Sequence, residues 1–399
     1  MSKKVFGLEY LGRKIPELLK IKVEHKNDPD KWTWTPAKPD KIRNIEKEVQ
    51  KEKESVRKAV ITNYKYDSNL KQRVFFSFEM GNLSYSLINN LISNNLKFVY
   101  VSFTQLVLKG YIIVSVIKGI EKRFLKIDDF MIDLDDVGFV IWTPPRFPAP
   151  LFDFDMIPPR KNRNSFLFTK RWGQLIREFE YLVNREVIWI PSVPFNGSQE
   201  WQNKIGEYLI ANKIGLKVPD FIFSNCESDI KRFFTKHEKI CLREFCSPPY
   251  SFPPIIFEHS DKIKLNNIKN SPCTFQEYIE KKYELRVVVV FDNIYPIKIH
   301  SQDSNLTKND WRVHDDAHVK WEMTKLPEKV CNQLLQLGKQ LQLNWYSVDL
   351  IFSTDNEYVF LEINRPGAHY WLDTFVGFDV SKVIVELVKE KKIIDEYES

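Results

Sequence analysis

Asp349, Glu362 and Asn364 have the side-chain types and the spacing that gather a hard divalent cation. Two carboxylates and a carboxamide oxygen are the donors that Mg2+ takes alongside phosphate groups. Tyr346–Phe352 and Tyr358–Asn364 read as apolar strands flanking the polar stretch Ser353–Glu357. With Asp355-Asn356 as a two-residue turn of the I′ type, the hairpin register is fixed and Asp349 faces Glu362 directly. Asn364 then lies two residues along on the same face. Alternating polar residues on a hairpin can simply face water. An Asp opposite a Glu is nevertheless a repulsive cross-strand pair, which a cation relieves.

A second group of residues has the makings of a nucleotide cradle. Thr274 to Ile279 is a strand followed by a short extended hinge, whose backbone N–H and C=O groups suit an adenine edge. Glu284, seven residues beyond Glu277, can accept from ribose hydroxyls, although both carboxylates also read as loop residues on the surface. Asp310-Trp311-Arg312 follows a polar loop, and an arginine there can clamp phosphate oxygens or stand free on the surface.

These residues need elements to hold them. Val287–Phe291 and Ile294–His300 read as strands turned at Asp292-Asn293. Upstream come a strand at Val187–Ile190, a helix at Gln199–Lys213 closed by Gly215, a helix at Asp229–His237 and a strand at Lys239–Arg243. The Pro-rich loop Ser247–Pro254 follows. Earlier still, the run Val74–Phe78, a helical segment near Asn82–Ser93, Phe98–Val101 and Val137–Trp142 give a strand-helix-strand rhythm. Lys38–Lys58 is densely charged, with one narrow apolar stripe that suits a solvated helix or a partner-binding one, and Trp32 and Trp34 alternate in an extended stretch.

Composition narrows the class. The chain has 399 residues, enough for two or three lobes, with 43% hydrophobic and 28% charged residues. The net charge of +6, from 59 basic and 53 acidic residues, suits an anionic ligand and is no nucleic-acid footprint. No GxGxxG or P-loop is present. The five cysteines include no CxxC pair, the start Met1-Ser2-Lys3-Lys4 has no apolar signal region, and no stretch approaches the roughly 18 apolar residues of a membrane span. A reduced, cytoplasmic protein is expected, without a membrane or nucleic-acid partner.

The order QEYI, ELR, KIHSQ, DWR, LP, DL, FLEIN, WLD resembles the ATP-grasp superfamily, and within it the graspetide synthetases, the microviridin-type peptide macrocyclases. The likeness runs from about residue 187 to 396. It implies an α/β (α+β) ATP-grasp fold: an N-terminal pre-ATP-grasp α/β domain, a central α+β lobe and a C-terminal antiparallel-sheet lobe. The expected boundaries are 1–70 for a charged extension, 71–190, 191–275 and 276–399. It also implies ATP and two Mg2+ ions as cofactors. Asp349, Glu362 and Asn364 would hold the metals, Gln276, Glu277, Tyr278 and Ile279 the adenine, and Glu284 the ribose. Lys204 and Arg243 would contact phosphates, Arg243 standing where a lysine is usual. Arg286 and Arg312 would neutralise the transferring phosphoryl group. After Asn364 the chain reads Arg365-Pro366-Gly367-Ala368-His369, where the group usually continues with a Pro-Asn-Gly-Gln type loop.

The activity so implied is phosphorylation of Asp or Glu side chains in a ribosomally made precursor peptide, leader plus core, followed by intramolecular ester or amide formation. Related ligases suggest a homodimer. Arg312–Lys325, with Trp321, can furnish part of a peptide groove, and His314 and His318 read as solvated side chains or a second metal site. Two alternatives stay open: a ligase that adds amino acids to a protein or peptide tail, and a non-catalytic ATP- and peptide-binding module.

Overall fold

Five antiparallel strands carry most of the chemistry-bearing residues in the computed structural model, which describes residues 19–22, 33–36, 82–94, 110–127, 130–142, 171, 174–175, 178–183, 187–192, 204–243, 255–258, 268–270, 272–305, 307–309, 319–365, 372 and 376–397. The predicted runs Val74–Phe78 and Phe98–Val101, the charged segment Lys38–Lys58 and the Pro-rich loop lie outside them. The chain divides into two compact units, one of residues 1–45, 197–366 and 371–378, the other of residues 46–196, 367–370 and 379–399.

In the second unit, α1 (Asn82–Ser93) packs with the C-terminal helix (Val380–Tyr397). The Asn90 amide donates to the Asp379 carboxylate at 3.3 Å. A three-stranded antiparallel sheet is built from β3 (Gly110–Ile117), β4 (Ile120–Ile127) and β5 (Phe130–Asp133). No sequence expectation covered this sheet, although Lys118-Gly119, both at positive φ, mark a tight hairpin turn between β3 and β4. β6 (Phe139–Ile141) and β7 (Ile188–Ile190) pair in parallel, on a core where Trp142, Phe179 and Trp189 meet ring to ring.

The first unit holds the hairpin β1 (Leu19–Lys22) and β2 (Thr33–Pro36), so the stretch around Trp34 is extended. It continues with α2 (Lys204–Lys213), within the predicted Gln199–Lys213, whose residues 199–203 lie outside the described ones. Gly215 at φ +83 lets the Leu216 N–H reach back to the Ala211 carbonyl at 3.0 Å and its own N–H to that of Asn212 at 3.0 Å, closing the helix. A four-stranded sheet follows, of β8 (Phe221–Ser224), β9 (Lys239–Arg243), β10 (Ile255–Glu258) and β11 (Cys273–Glu277), in the order β10-β9-β11-β8. It packs on α3 (Glu227–Phe234) through Ile230, Phe233, Phe234, Ile240 and Phe275.

The five-stranded sheet has the order β14 (Trp321–Met323), β13 (Asn293–Ile299), β12 (Lys281–Val290), β15 (Trp345–Ser353), β16 (Tyr358–Asn364). Leu285, Val287 and Val289 of β12, Tyr346, Val348 and Leu350 of β15, and Phe360 and Ile363 of β16 form its core face. They pack against Tyr208 and Ala211 of α2 and against Val330, Leu334 and Leu337 of α4 (Glu328–Gln340). Gly338 of α4 lies so close to the Tyr346 ring that no Cβ fits between them. Because side chains alternate along a strand, Glu284, Arg286, Ser347 and Asp349 point to the opposite face.

The β15–β16 hairpin corrects one sequence expectation. Its turn is not the two-residue Asp355-Asn356 type: Ser353 N bonds Glu357 O at 2.9 Å, Asn356 N bonds Ser353 O at 3.1 Å, and only Asn356 has a positive φ of 64°. This three-residue loop sets Phe352 opposite Tyr358 and Leu350 opposite Phe360, a register that by itself would not bring Asp349 to Glu362. A β-bulge leaves Leu361 without a partner and shifts the pairing by one, so Asp349 faces Glu362 after all. The same extra residue breaks the alternation: Phe360 and Ile363 both enter the core, while Glu362 and Asn364 turn to the other face.

Candidate functional site

On that outer face the sheet presents a transverse row of charges. Arg286 of β12 lies directly across from Asp349 of β15, which lies across from Glu362 of β16. Nη1 of Arg286 donates to both Asp349 oxygens, at 2.7 and 2.9 Å. At the edge of the sheet, Lys204 in the first turn of α2 donates to Glu362 Oε2 at 3.0 Å. Asn364 closes the group, its amide nitrogen 3.0 Å from Asp349 Oδ2 and 3.3 Å from Glu362 Oε1. Two cations thus flank two carboxylates, and cation relief of the Asp349–Glu362 repulsion is already partly supplied by protein groups.

The predicted metal triad therefore converges, joined by Lys204 and Arg286. Its donors fit Mg2+: two clustered carboxylates, plus an amide whose oxygen is not used in the bonds to them. The partly buried patch also offers a guanidinium and an ammonium to phosphate oxygens.

Two residues along β12 on the same face, Glu284 receives a bond from Lys281 Nζ at 2.6 Å, and both side chains are largely buried. Lys281 also reaches the Asn309 carbonyl at 3.3 Å. Lys281, not among the expected site residues, sits at an irregularity in the β12–β15 register. The stretch expected to serve as a hinge, Gln276–Ile279, precedes β12 directly. The Oε1 of Gln276 accepts from the buried Tyr208 hydroxyl at 3.1 Å. The Glu277 N–H donates to Asp220 O at 2.8 Å and the Tyr278 N–H to Lys239 O at 3.1 Å. Among the described residues, Ile279 is the hinge position whose backbone N–H carries no such bond. Burial raises the Tyr278 hydroxyl to about 12, so it stays protonated and donates to Asn309 Oδ1 at 3.2 Å.

Glu207, also missed, lies one turn beyond Lys204 and is almost fully buried. Its Oε1 receives Arg365 Nη1 at 3.2 Å, while Oε2 has no hydrogen-bond partner among the described residues. Burial pushes its pKa up to about 7, outweighing the pull of Arg365 and Lys204, and the nearby Glu362 charge adds to the rise. Helical spacing from Lys204 and the position of Arg365 just after Asn364 were the available signals. Arg243 ends β9, its side chain outside the described residues. Arg312, His314 and His318 lie outside them altogether. Trp321, expected as a groove wall, is buried instead.

No family model and no curated protein matches the chain. Solved structures do. An ATP-grasp ligase associated with ribosomal peptide modification in Chryseobacterium gregarium, in complex with ADP and a leader and core peptide, is 21% identical. The alignment covers 80% of this chain and 97% of that one, with a TM-score of 0.63. The macrocyclase MdnC of Microcystis aeruginosa, bound with precursor peptide MdnA, is 22% identical over 80% of this chain and 99% of its own, with a TM-score of 0.64. PsnB, an ATP-grasp ligase complexed with a precursor variant, Mg and ADP, is 13% identical over 81% and 100%, with a TM-score of 0.62. With its antiparallel sheets and flanking helices, the chain has the ATP-grasp fold.

Proposed function

We propose that this chain is an ATP- and Mg2+-dependent carboxylate ligase acting on a ribosomally made peptide. The observation that carries the reading is the row Arg286, Asp349, Glu362, with Lys204 and Asn364 closing it, on a fold shared with ligases whose structures hold ADP, Mg or precursor peptides.

In this reading Asp349, Glu362 and Asn364 hold two Mg2+ ions, which when bound draw charge from the triphosphate. Lys204 and Arg243 contact phosphates. Ile279, within the hinge Gln276–Ile279, offers its N–H to adenine, and Glu284, released by Lys281, accepts from ribose. Arg286 and Arg312 neutralise the phosphoryl group in transit, a reaction that needs positioning and charge compensation above all. A substrate carboxylate takes the γ-phosphoryl group, giving an acyl phosphate and ADP. A hydroxyl or amine of the same peptide then attacks the acyl carbon, and inorganic phosphate leaves with formation of an ester or amide. The precursor would bind through leader and core. We further propose a cytoplasmic homodimer. Among the described residues no helix is long and apolar enough to cross a membrane.

The test is incubation with ATP, Mg2+ and a short Thr-, Ser-, Lys- and acid-rich peptide encoded beside the gene. Expected are ADP release and loss of one water per bond formed, read by mass spectrometry. A gain of a residue mass would instead mark an amino-acid-adding ligase. Tight ATP binding with no ADP released on any such peptide would mark a binding module. Sedimentation of the purified chain checks the dimer.

A further inference from the structure

Behind the hinge, three side chains from three elements meet at one end of the four-stranded sheet. Asp220 precedes β8, His237 follows α3, and Glu277 ends β11; their ligand atoms all lie within 4.8 Å of one another. The backbone holds them there: Glu277 N bonds Asp220 O at 2.8 Å, Asp220 N bonds a Glu277 carboxylate oxygen at 3.2 Å, and Tyr278 N bonds Lys239 O at 3.1 Å. The His237 ring packs against Phe233 at 4.6 Å, and its Nε2 is buried without a hydrogen-bond partner among the described residues. Asp220 Oδ2 stands 3.5 Å from that nitrogen. This is beyond a good N–H···O bond but close to the edge of a tetrahedron around zinc, about 3.4 Å for metal–ligand distances of about 2.1 Å.

We propose that Asp220, His237 and Glu277 form a second metal site, for a divalent ion that accepts imidazole, such as Zn2+ or Co2+, in preference to Mg2+. One nitrogen and two carboxylate oxygens are a three-ligand set that leaves a coordination position open. The exposed Asp220 side chain gives that position a route to solvent. Glu277 is a residue of the hinge Gln276–Ile279 proposed above for adenine, so occupancy, by fixing that residue, opposes adenine binding. That linkage rests on the nucleotide reading, whereas metal binding itself does not.

The experiment uses the full chain, free of any histidine tag and of nucleotide, titrated with Co2+ and followed by its visible spectrum. Expected is a saturable band without the sulfur-to-metal charge-transfer absorption of a cysteine site, displaced by Zn2+ and unaffected by excess Mg2+. His237→Ala and Asp220→Asn should each weaken binding by about tenfold or more. Asp220→Asn, on an exposed side chain, keeps the test sharp if the histidine variant fails to fold. No saturable band, a thiolate spectrum, or unchanged affinity in a folded variant overturns the site. Adenosine, which has no phosphate to chelate the ion, should bind more weakly with Zn2+ present in the wild type and not in Asp220→Asn. Metal binding with unchanged adenosine affinity overturns the linkage, but not the site.

Discussion

Replacing Arg286 by Met isolates the charge logic of the row. Arg286 and Asp349 are mostly buried, 8% and 17% exposed, and one guanidinium nitrogen serves both carboxylate oxygens. At a charge separation of about 4 Å and an effective dielectric near 20, their attraction is about 4 kcal/mol. The variant leaves Asp349 facing Glu362, with Asn364 and Lys204 among the remaining partners of the two carboxylates. Removing one member of a buried pair typically costs about 3–5 kcal/mol. For a unit of this size the thermal midpoint should fall by at least about 6 °C. Differential scanning fluorimetry without metal measures the loss. Added Mg2+ should recover more stability in the variant than in the wild type, since the ion takes the place of the missing cation. Arg286→Met combined with Asp349→Asn, which removes both charges, should return to within about 1–2 kcal/mol of the wild type. A loss under about 1 kcal/mol, or a double variant as unstable as the single one, would refute the argument.

Glu362→Gln should leave the chain folded yet remove the Mg2+-dependent stabilisation by ADP, which at a hundred times Kd is worth about 2.7 kcal/mol; an unchanged ADP shift would place the metals elsewhere. Glu207 ionises near 4.5 in the unfolded chain and near 7 in the folded one, so between those values the unfolded state releases its proton first. Its contribution is present below pH 4.5 and is lost as pH rises through 7, by about 3 kcal/mol at most. Urea titrations of wild type and Glu207→Gln should therefore diverge across that window, with the wild type losing ground. Divergence in the other direction would mean that Arg365 and Lys204 keep the carboxylate ionised. Gly215→Ala meets a left-handed backbone and Gln333 Nε2 at 3.2 Å from the new Cβ, so a loss of about 1–2 kcal/mol is expected in the same assay.

The local part of this design was written in the sequence. β9 and β16 have the predicted bounds, Gly215 closes its helix, and Asp349, Glu362 and Asn364 meet, because a hairpin joins residues only 13 to 15 positions apart and period-two alternation is a short-range signal. Tertiary packing decided the rest. The two-residue turn expected at Asp355-Asn356 is a three-residue loop, and the trio is rescued by the bulge at Leu361. The core takes both Phe360 and Ile363, and only an extra residue between them lets Glu362 face outward. Arg286 finds Asp349 across 63 positions and Lys204 finds Glu362 across 158, which no periodicity encodes. Gln276 was expected at an adenine hinge, yet its Oε1 accepts from a Tyr208 hydroxyl that must be satisfied in the interior. Residue types and short spacings chose the chemistry, whereas the cations that balance it are recruited by strand pairing and helix docking, contacts whose energy comes from burying surfaces distant in the chain.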